Sequence, residues 1–247
     1  MSIKSTAELE GLKKIGQIVR ATLDAMASAV EPGISTAELD QIAKITLAAH
    51  GAESSARKVY GFPGDACISV NDEAIHGIPG GRQLKLGDLV KLDLTAEKDG
   101  FVADAAVTIG VGKMSPVSAS LTQCAERAFH QGAQCARAGN RVYDIGRAVE
   151  REVRGSGFSV MKQLCGHGVG RTIHEEPCVP NYFSNRHRTR LTEGLVITIE
   201  PIIAAGSGSE RLLEDGWTIG TADGTLAAHY EHTIVITRGE PILLTAT

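Results

Sequence analysis

Four carboxylates lie inside segments that otherwise read as apolar strands. They are Asp93 in Leu89-Val-Lys-Leu-Asp-Leu-Thr95, Asp104 in Gly100-Phe-Val-Ala-Asp-Ala-Ala-Val107, Glu200 in Val196-Ile-Thr-Ile-Glu-Pro-Ile-Ile203, and Glu231 in Tyr230-Glu-His-Thr-Ile-Val235. An inward-facing carboxylate in such a run is destabilising unless a cation neutralises it. Histidine joins the set: Gly166-His167-Gly-Val-Gly170 exposes an imidazole between residues without side chains, and His174 follows in His174-Glu-Glu-Pro177. Asp93, Asp104, His167, Glu200 and Glu231 form an oxygen-rich donor set with one imidazole, which suits two hard or borderline divalent ions better than a thiolate zinc site. Two ions sharing bridging carboxylates can activate a water between them, which is hydrolase chemistry.

The two aspartates are tied together by local geometry. Side chains alternate along a strand, so Lys91, Asp93 and Thr95 share one face. Glu97-Lys-Asp-Gly100 is a turn signal. A turn centred on Lys98-Asp99 sets Asp93 directly opposite Asp104, whereas one centred on Asp99-Gly100 makes them diagonal neighbours on the same face. Either register brings the carboxylates within roughly 5 to 8 Å. Lys91, on that face, is expected to compete with metal for them. Two other motif readings fail: Gly166 to Gly170 lacks the Lys and following helix of a phosphate cradle, and His174-Glu-Glu-Pro177 is followed by Cys178 where a zincin needs histidine.

The elements that must position these groups repeat. Ser5-Thr-Ala-Glu8 and Ser35-Thr-Ala-Glu38 each read as a capping box opening a helix. A second helix pair is expected from about Val117 to Ala138 and from Val142 to Arg154. Gly33 stands to Gly139 as Gly51 stands to Gly157, and Gly87 to Gly194 as Asp93 to Glu200. Asp104 matches Glu231 once an insertion of about twenty residues in the second half is allowed. The chain therefore reads as an α+β fold of two related halves, about 1–112 and 113–247, within one domain. A pseudo-twofold arrangement would bring all four carboxylates together.

Composition removes other classes. The excess of 29 acidic over 25 basic side chains and the ten Phe, Trp and Tyr residues offer neither a basic face nor a stacking platform for nucleic acid. The most apolar stretch, from Leu195 to Ala205, is interrupted by Glu200 and Pro201, so no membrane span is expected. With no apolar leader at the start, the expected location is cytoplasmic. Five cysteines, an odd number without a Cys-x-x-Cys pair, are expected to be reduced thiols.

At these residues the sequence resembles the type I methionine aminopeptidases of the pita-bread fold. The matching motifs are Asn71-Asp-Glu-Ala-Ile-His76-Gly-Ile-Pro79, Asp93-Leu-Thr95, Gly100-Phe-Val-Ala-Asp104, Gly166-His-Gly-Val-Gly170, His174-Glu-Glu-Pro177, Thr198-Ile-Glu200-Pro201 and Tyr230-Glu231-His-Thr233. The resemblance implies a curved antiparallel sheet covered by two pairs of helices. It implies that Asp93 chelates one of two divalent ions (Co, Mn, Fe or Zn), that Asp104 and Glu231 bridge both, and that His167 and Glu200 hold the other. His76 and His174 would contact substrate, Glu200 would shuttle the proton, and Phe62, Cys67, Ile173 and Trp217 would build the methionine pocket. The implied reaction is removal of N-terminal methionine from nascent chains by a cytoplasmic monomer in transient contact with the ribosome, without nucleic-acid or membrane binding. The alternatives are a catalytically weak or non-catalytic peptide-binding protein of this fold, and an Xaa-Pro peptidase. The chain departs from the usual family residues at Val59, Lys91, Ala105, Ala106, Ile173 and His229.

Overall fold

Two left-handed residues, Asp99 (φ 53°) and Gly100 (φ 77°), close the hairpin between strands Leu89–Lys98 and Phe101–Gly110. Consecutive positive φ values match the twist of the flanking strands, and they pair Lys98 with Phe101. Counting back, Asp93 faces Ala106 and Asp104 faces Thr95. Of the two registers open to the sequence, the diagonal one is realised. These features belong to a computed structural model that describes residues 1–246.

The hairpin lies within a nine-stranded sheet. From one edge the strands run Glu53–Ser54, Leu89–Lys98, Phe101–Gly110, Glu231–Val235, Val196–Ile199, Cys165–Gly168 and Glu175–Pro180, with Cys67–Val70 and Ile242–Leu243 pairing off this path. Every pairing is antiparallel. An antiparallel sheet can be covered on one face and open on the other. Helices Thr6–Ser28 and Thr36–Ala49 pack on the first half through Ile15, Val19, Leu39 and Leu47 against Leu92, Leu94 and Ala105. Helices Pro116–Cys135 and Val142–Gly155 pack on the second through Phe129, Ile145 and Val149 against Ile197 and Ile199. This is the pita-bread layout expected from the resemblance.

The repeat is visible in the backbone. Gly33 and Gly139 have φ of 99° and 103°, Gly51 and Gly157 of 62° and 81°, and Gly87 and Gly194 of 93° and 83°. Each matched pair occupies a conformation that other L-residues resist, so corresponding turns require glycine in both halves. The capping boxes differ. Ser35 and Glu38 bond reciprocally, as expected. Ser5 caps Glu8 N–H, but the Glu8 carboxylate accepts from Lys4 N–H and from the Arg171 guanidinium instead of closing the box. One oxygen goes to the backbone N–H one residue earlier and the other to a cation.

The expected insertion forms strands Glu210–Leu212 and Ile219–Thr221, which pair in a separate sheet with Glu73–Ile75. This attachment carries Trp217 to the cleft. No helix among the described residues is long and apolar enough to cross a membrane.

Candidate metal centre

Five consecutive strands each deliver one donor to the open face of the sheet. In spatial order these are Asp93, Asp104, Glu231, then Glu200 immediately beyond Val196–Ile199, then His167. All five line one cleft of about 440 Å³. His167 Nε2 lies 3.5 Å from Glu200 Oε1 and 3.8 Å from Asp104 Oδ2. One ligand atom from each of Asp104, His167 and Glu231 falls within 4.8 Å of the others.

Local bonds aim these donors. His167 Nδ1 lies 2.9 Å from the Gly168 carbonyl, which can only accept, so Nδ1 carries the proton and Nε2 keeps its lone pair for a cation. Thr198 Oγ1 accepts from His167 N–H and donates to Glu200 Oε1, so one hydroxyl couples two of the donors. Asn181 Nδ2 donates to the Glu200 carbonyl. Asp104 is gripped through its backbone by Thr233, whose Oγ1 accepts from its N–H and donates to its carbonyl. A Cβ on Gly166 would come within 2.6 Å of the Thr198 carbonyl, so the close approach of these strands requires glycine.

The electrostatics favour a cation. Asp93, Asp104, Glu200 and Glu231 are all buried. Burial first, then mutual repulsion, holds the carboxyls of Asp93, Glu200 and Glu231 well above the ordinary range, and burial raises Asp104 as well. Asp104 Oδ1 and Glu231 Oε1 have no hydrogen-bond partner. Among the described residues no Lys or Arg forms an ion pair with any of the four; their close basic neighbours are His167 and His229. Converging oxygen donors with orphaned atoms and an imidazole lone pair fit divalent ions.

Lys91 requires a correction. It shares the carboxylates' face, yet its Nζ donates to the Asn71 carbonyl at 2.8 Å, with Glu73, Asp72 and Asp88 as its acidic surroundings. Burial pushes its ammonium down to about 7. It is therefore directed away from the donors. His229, another departure, is fully buried, with Nε2 3.4 Å from Glu231 Oε2 and 4.0 Å from Glu200 Oε2. Burial holds its imidazole down at about 3, so it stands neutral behind the carboxylates.

The remaining expected site residues line the same cleft. Phe62, Cys67 and Ile173 are buried, and Trp217 meets Phe62 edge-on at 5.3 Å. His76 holds a left-handed backbone (φ 59°), uncommon for a side-chain-bearing residue and typical of functional sites; burial lowers its imidazole to about 4. His174 meets His167 edge-on, with ring centroids 4.4 Å apart. Val59 is 54% exposed and outside the cleft. The aromatic at the rim is its neighbour Tyr60, unmarked by any sequence signal, whose hydroxyl lies 2.6 Å from His174 Nδ1. Glu175 is occupied elsewhere: it accepts from Arg171 N–H, Thr172 N–H and the Met1 ammonium, closing the loop before the strand.

Residues 10–238 match the model of metallopeptidase family M24. Methionine aminopeptidase 2 of Bacillus subtilis is 47% identical over 249 residues, covering 99% of both chains. The crystal structure of methionine aminopeptidase from Thermotoga maritima superposes with a TM-score of 0.96 at 32% identity, covering 100% of each chain. Prolidase from Pyrococcus furiosus shares the fold, with a TM-score of 0.81 at 24% identity over 99% of this chain and 65% of the other.

Proposed function

The chain belongs to metallopeptidase family M24, and from that premise we propose that it is a methionine aminopeptidase whose five strand-borne donors hold two divalent ions. The protein is a metal-dependent hydrolase that releases N-terminal methionine. The observation carrying the site assignment is the row of donors on five adjacent strands, with orphaned oxygens facing one cleft. In this reading Asp93, Asp104, His167, Glu200 and Glu231 would together hold the two ions; cobalt, manganese, iron or zinc would suit such donors. When bound, the ions polarise the scissile carbonyl and lower the pKa of a water.

The chain's own groups do the rest. Glu200, anchored by Thr198 at one oxygen, takes the proton of the attacking water and returns it to the leaving amine. His174 donates a hydrogen bond to the scissile amide, and His76 contacts the substrate backbone. Neutral imidazoles at both positions act as donors without placing more charge in the cleft. Phe62, Trp217, Ile173 and Cys67 enclose the methionine side chain. The reading includes a single catalytic domain over 1–247 with halves of about 1–112 and 113–247, supported by the matched glycine turns. It also includes a cytoplasmic monomer that visits the ribosome transiently, for which sedimentation alone and with ribosomes is the check.

The decisive assay is peptide hydrolysis across N-terminal residues, with and without chelator. Release of methionine from Met-Ala-Ser, abolished by chelation, is expected. Activity that survives excess chelator, or prefers Ala-Pro over Met-Ala-Ser, overturns the proposal. Phe62→Ala is expected to raise KM for Met-Ala-Ser by roughly 10- to 100-fold, because about 1.5–3 kcal/mol of apolar contact is lost; an unchanged KM removes Phe62 from the pocket.

Tyr60 positions His174. A phenol donating to Nδ1 leaves the proton on Nε2 and stabilises the neutral ring. Tyr60→Phe is expected to lower kcat about tenfold, equivalent to one lost hydrogen bond, with little change in KM. The acid limb of the pH–rate profile moves to higher pH, because the neutral imidazole loses its support. An unmoved limb would mean that the contact orients nothing.

A further inference from the structure

The cleft wall contains a thiol pair that the proposed hydrolysis does not use. Cys165 Sγ and Cys178 Sγ lie 2.9 Å apart. They come from strands Cys165–Gly168 and Glu175–Pro180, where Cys165 pairs with Pro180, so Cys178 is its diagonal neighbour on the same face. A register shift between Gly166 and Gly168 interrupts this pairing, and such a bulge bends the strand and re-aims its side chains. Both cysteines are free, partly exposed and part of the cleft lining. A disulfide needs sulfurs about 2.05 Å apart, so closure takes about an ångström of further approach.

We propose that Cys165 and Cys178 are a covalent modification site: a dithiol that a low-molecular-weight disulfide entering the cleft oxidises to an intramolecular disulfide, slowing hydrolysis until it is reduced. In the first step one cysteine, as its thiolate, attacks the small disulfide. The small S–S bond breaks, a mixed disulfide forms on the protein, and the departing thiolate takes up the proton that the cysteine released. The second cysteine then loses its proton and attacks the protein-bound sulfur, expelling the other small thiolate, which is protonated in turn. The protein loses two electrons and two protons, and the small disulfide becomes two thiols.

The consequence for the cleft follows from what the new bond encloses. The segment between the two cysteines carries His167, Ile173 and His174. His167 is two residues from Cys165 and aims Nε2 at Glu200 and Asp104 across 3.5 and 3.8 Å. Pulling its strand toward Glu175–Pro180 displaces that imidazole from its partners, and misplacement of a site group by an ångström is enough to slow turnover strongly.

The test treats metal-loaded enzyme with bis(2-hydroxyethyl) disulfide, followed by thiol counting, a non-reducing peptide map and a turnover assay. Two of the five thiols are expected to disappear into a Cys165–Cys178 cross-link, with turnover lowered at least about fivefold and regained in dithiothreitol. Each single variant, Cys165→Ser or Cys178→Ser, is expected to stop at the mixed disulfide and form no internal cross-link, and the variant carrying both changes is expected to keep whatever turnover it has when treated. Unchanged thiols, a cross-link through Cys67, or inhibition that persists in the variant lacking both cysteines overturns the proposal. The peptide map reads the bond whether or not the protein cleaves methionine, so failure here is distinct from failure of the proposed function.

Discussion

Stripping the divalent ions is expected to abolish methionine release, and the gap in Tm between metal-loaded and chelated protein is expected to widen as pH rises from 6 to 8. In the chelated protein burial and mutual repulsion hold the carboxyls of Asp93, Glu200 and Glu231 well above the ordinary range, and Asp104 is raised too. Unfolded, these groups ionise near pH 4. The folded metal-free state therefore binds more protons than the unfolded one. The stability this contributes is full below about pH 4 and is lost as pH climbs through the raised values. Ions that bind the ionised carboxylates must displace those protons, and each proton displaced makes binding about tenfold tighter per pH unit. Groups outside the donor set titrate in both forms, so Lys91, at about 7, largely cancels in the difference. Differential scanning calorimetry across that range is the measurement. A gap that stays constant or narrows would mean that the carboxylates are already ionised without metal, and that the cleft is wetter than its burial indicates.

The proposed donor set could be picked out because chemistry and patterning conflict in the sequence. Nothing but a buried cation makes sense of Glu200 beside Ile199 and Pro201, or of Glu231 leading an apolar strand. The halves were legible because glycine positions repeat, and matched positive φ values give the physical reason. Register was not: Lys98-Asp99 and Asp99-Gly100 are both acceptable turn centres, and φ at Asp99 decides between them. Alternation gave the face of Lys91 but not the path of its long side chain, which reaches the Asn71 carbonyl. Tyr60 and the pairing of Cys165 with Cys178 were illegible for a similar reason. Their contacts depend on a loop rim and on a bulged strand pair, and neither has a periodicity to read.

Replacing Glu231 with glutamine is expected to move stability and function in opposite directions. Its side chain is 2% exposed, with Oε1 unpartnered and Oε2 3.4 Å from His229. Without metal, it is a buried carboxyl beside three others, Asp104, Glu200 and Asp93, and the nearest imidazole is held neutral by its own burial. At a pH above the raised value, where the carboxyl is ionised, the isosteric amide removes the charge and its repulsion, and it can donate to a nitrogen of His229 that now has no partner. Relief of one buried, unsatisfied polar group amounts to about 1–3 kcal/mol. In a chain of this size that is roughly 2–4 °C in Tm per kcal/mol, so the chelated variant should melt well above the chelated parent. The same change removes a proposed metal ligand. Metal affinity should fall by more than the roughly 10- to 100-fold typical of lost supporting contacts, and turnover by about 10²- to 10⁴-fold, on the scale of a lost acid–base group. Calorimetric melting of both chelated proteins, metal titration and a Met-Ala-Ser assay read the three effects separately. A lower Tm in the chelated variant would mean that the carboxylate supports the fold by itself. Unchanged metal affinity would remove Glu231 from the donor set. The expected pattern, a more stable protein that has lost its chemistry, follows from placing four carboxylates where only bound cations make them favourable.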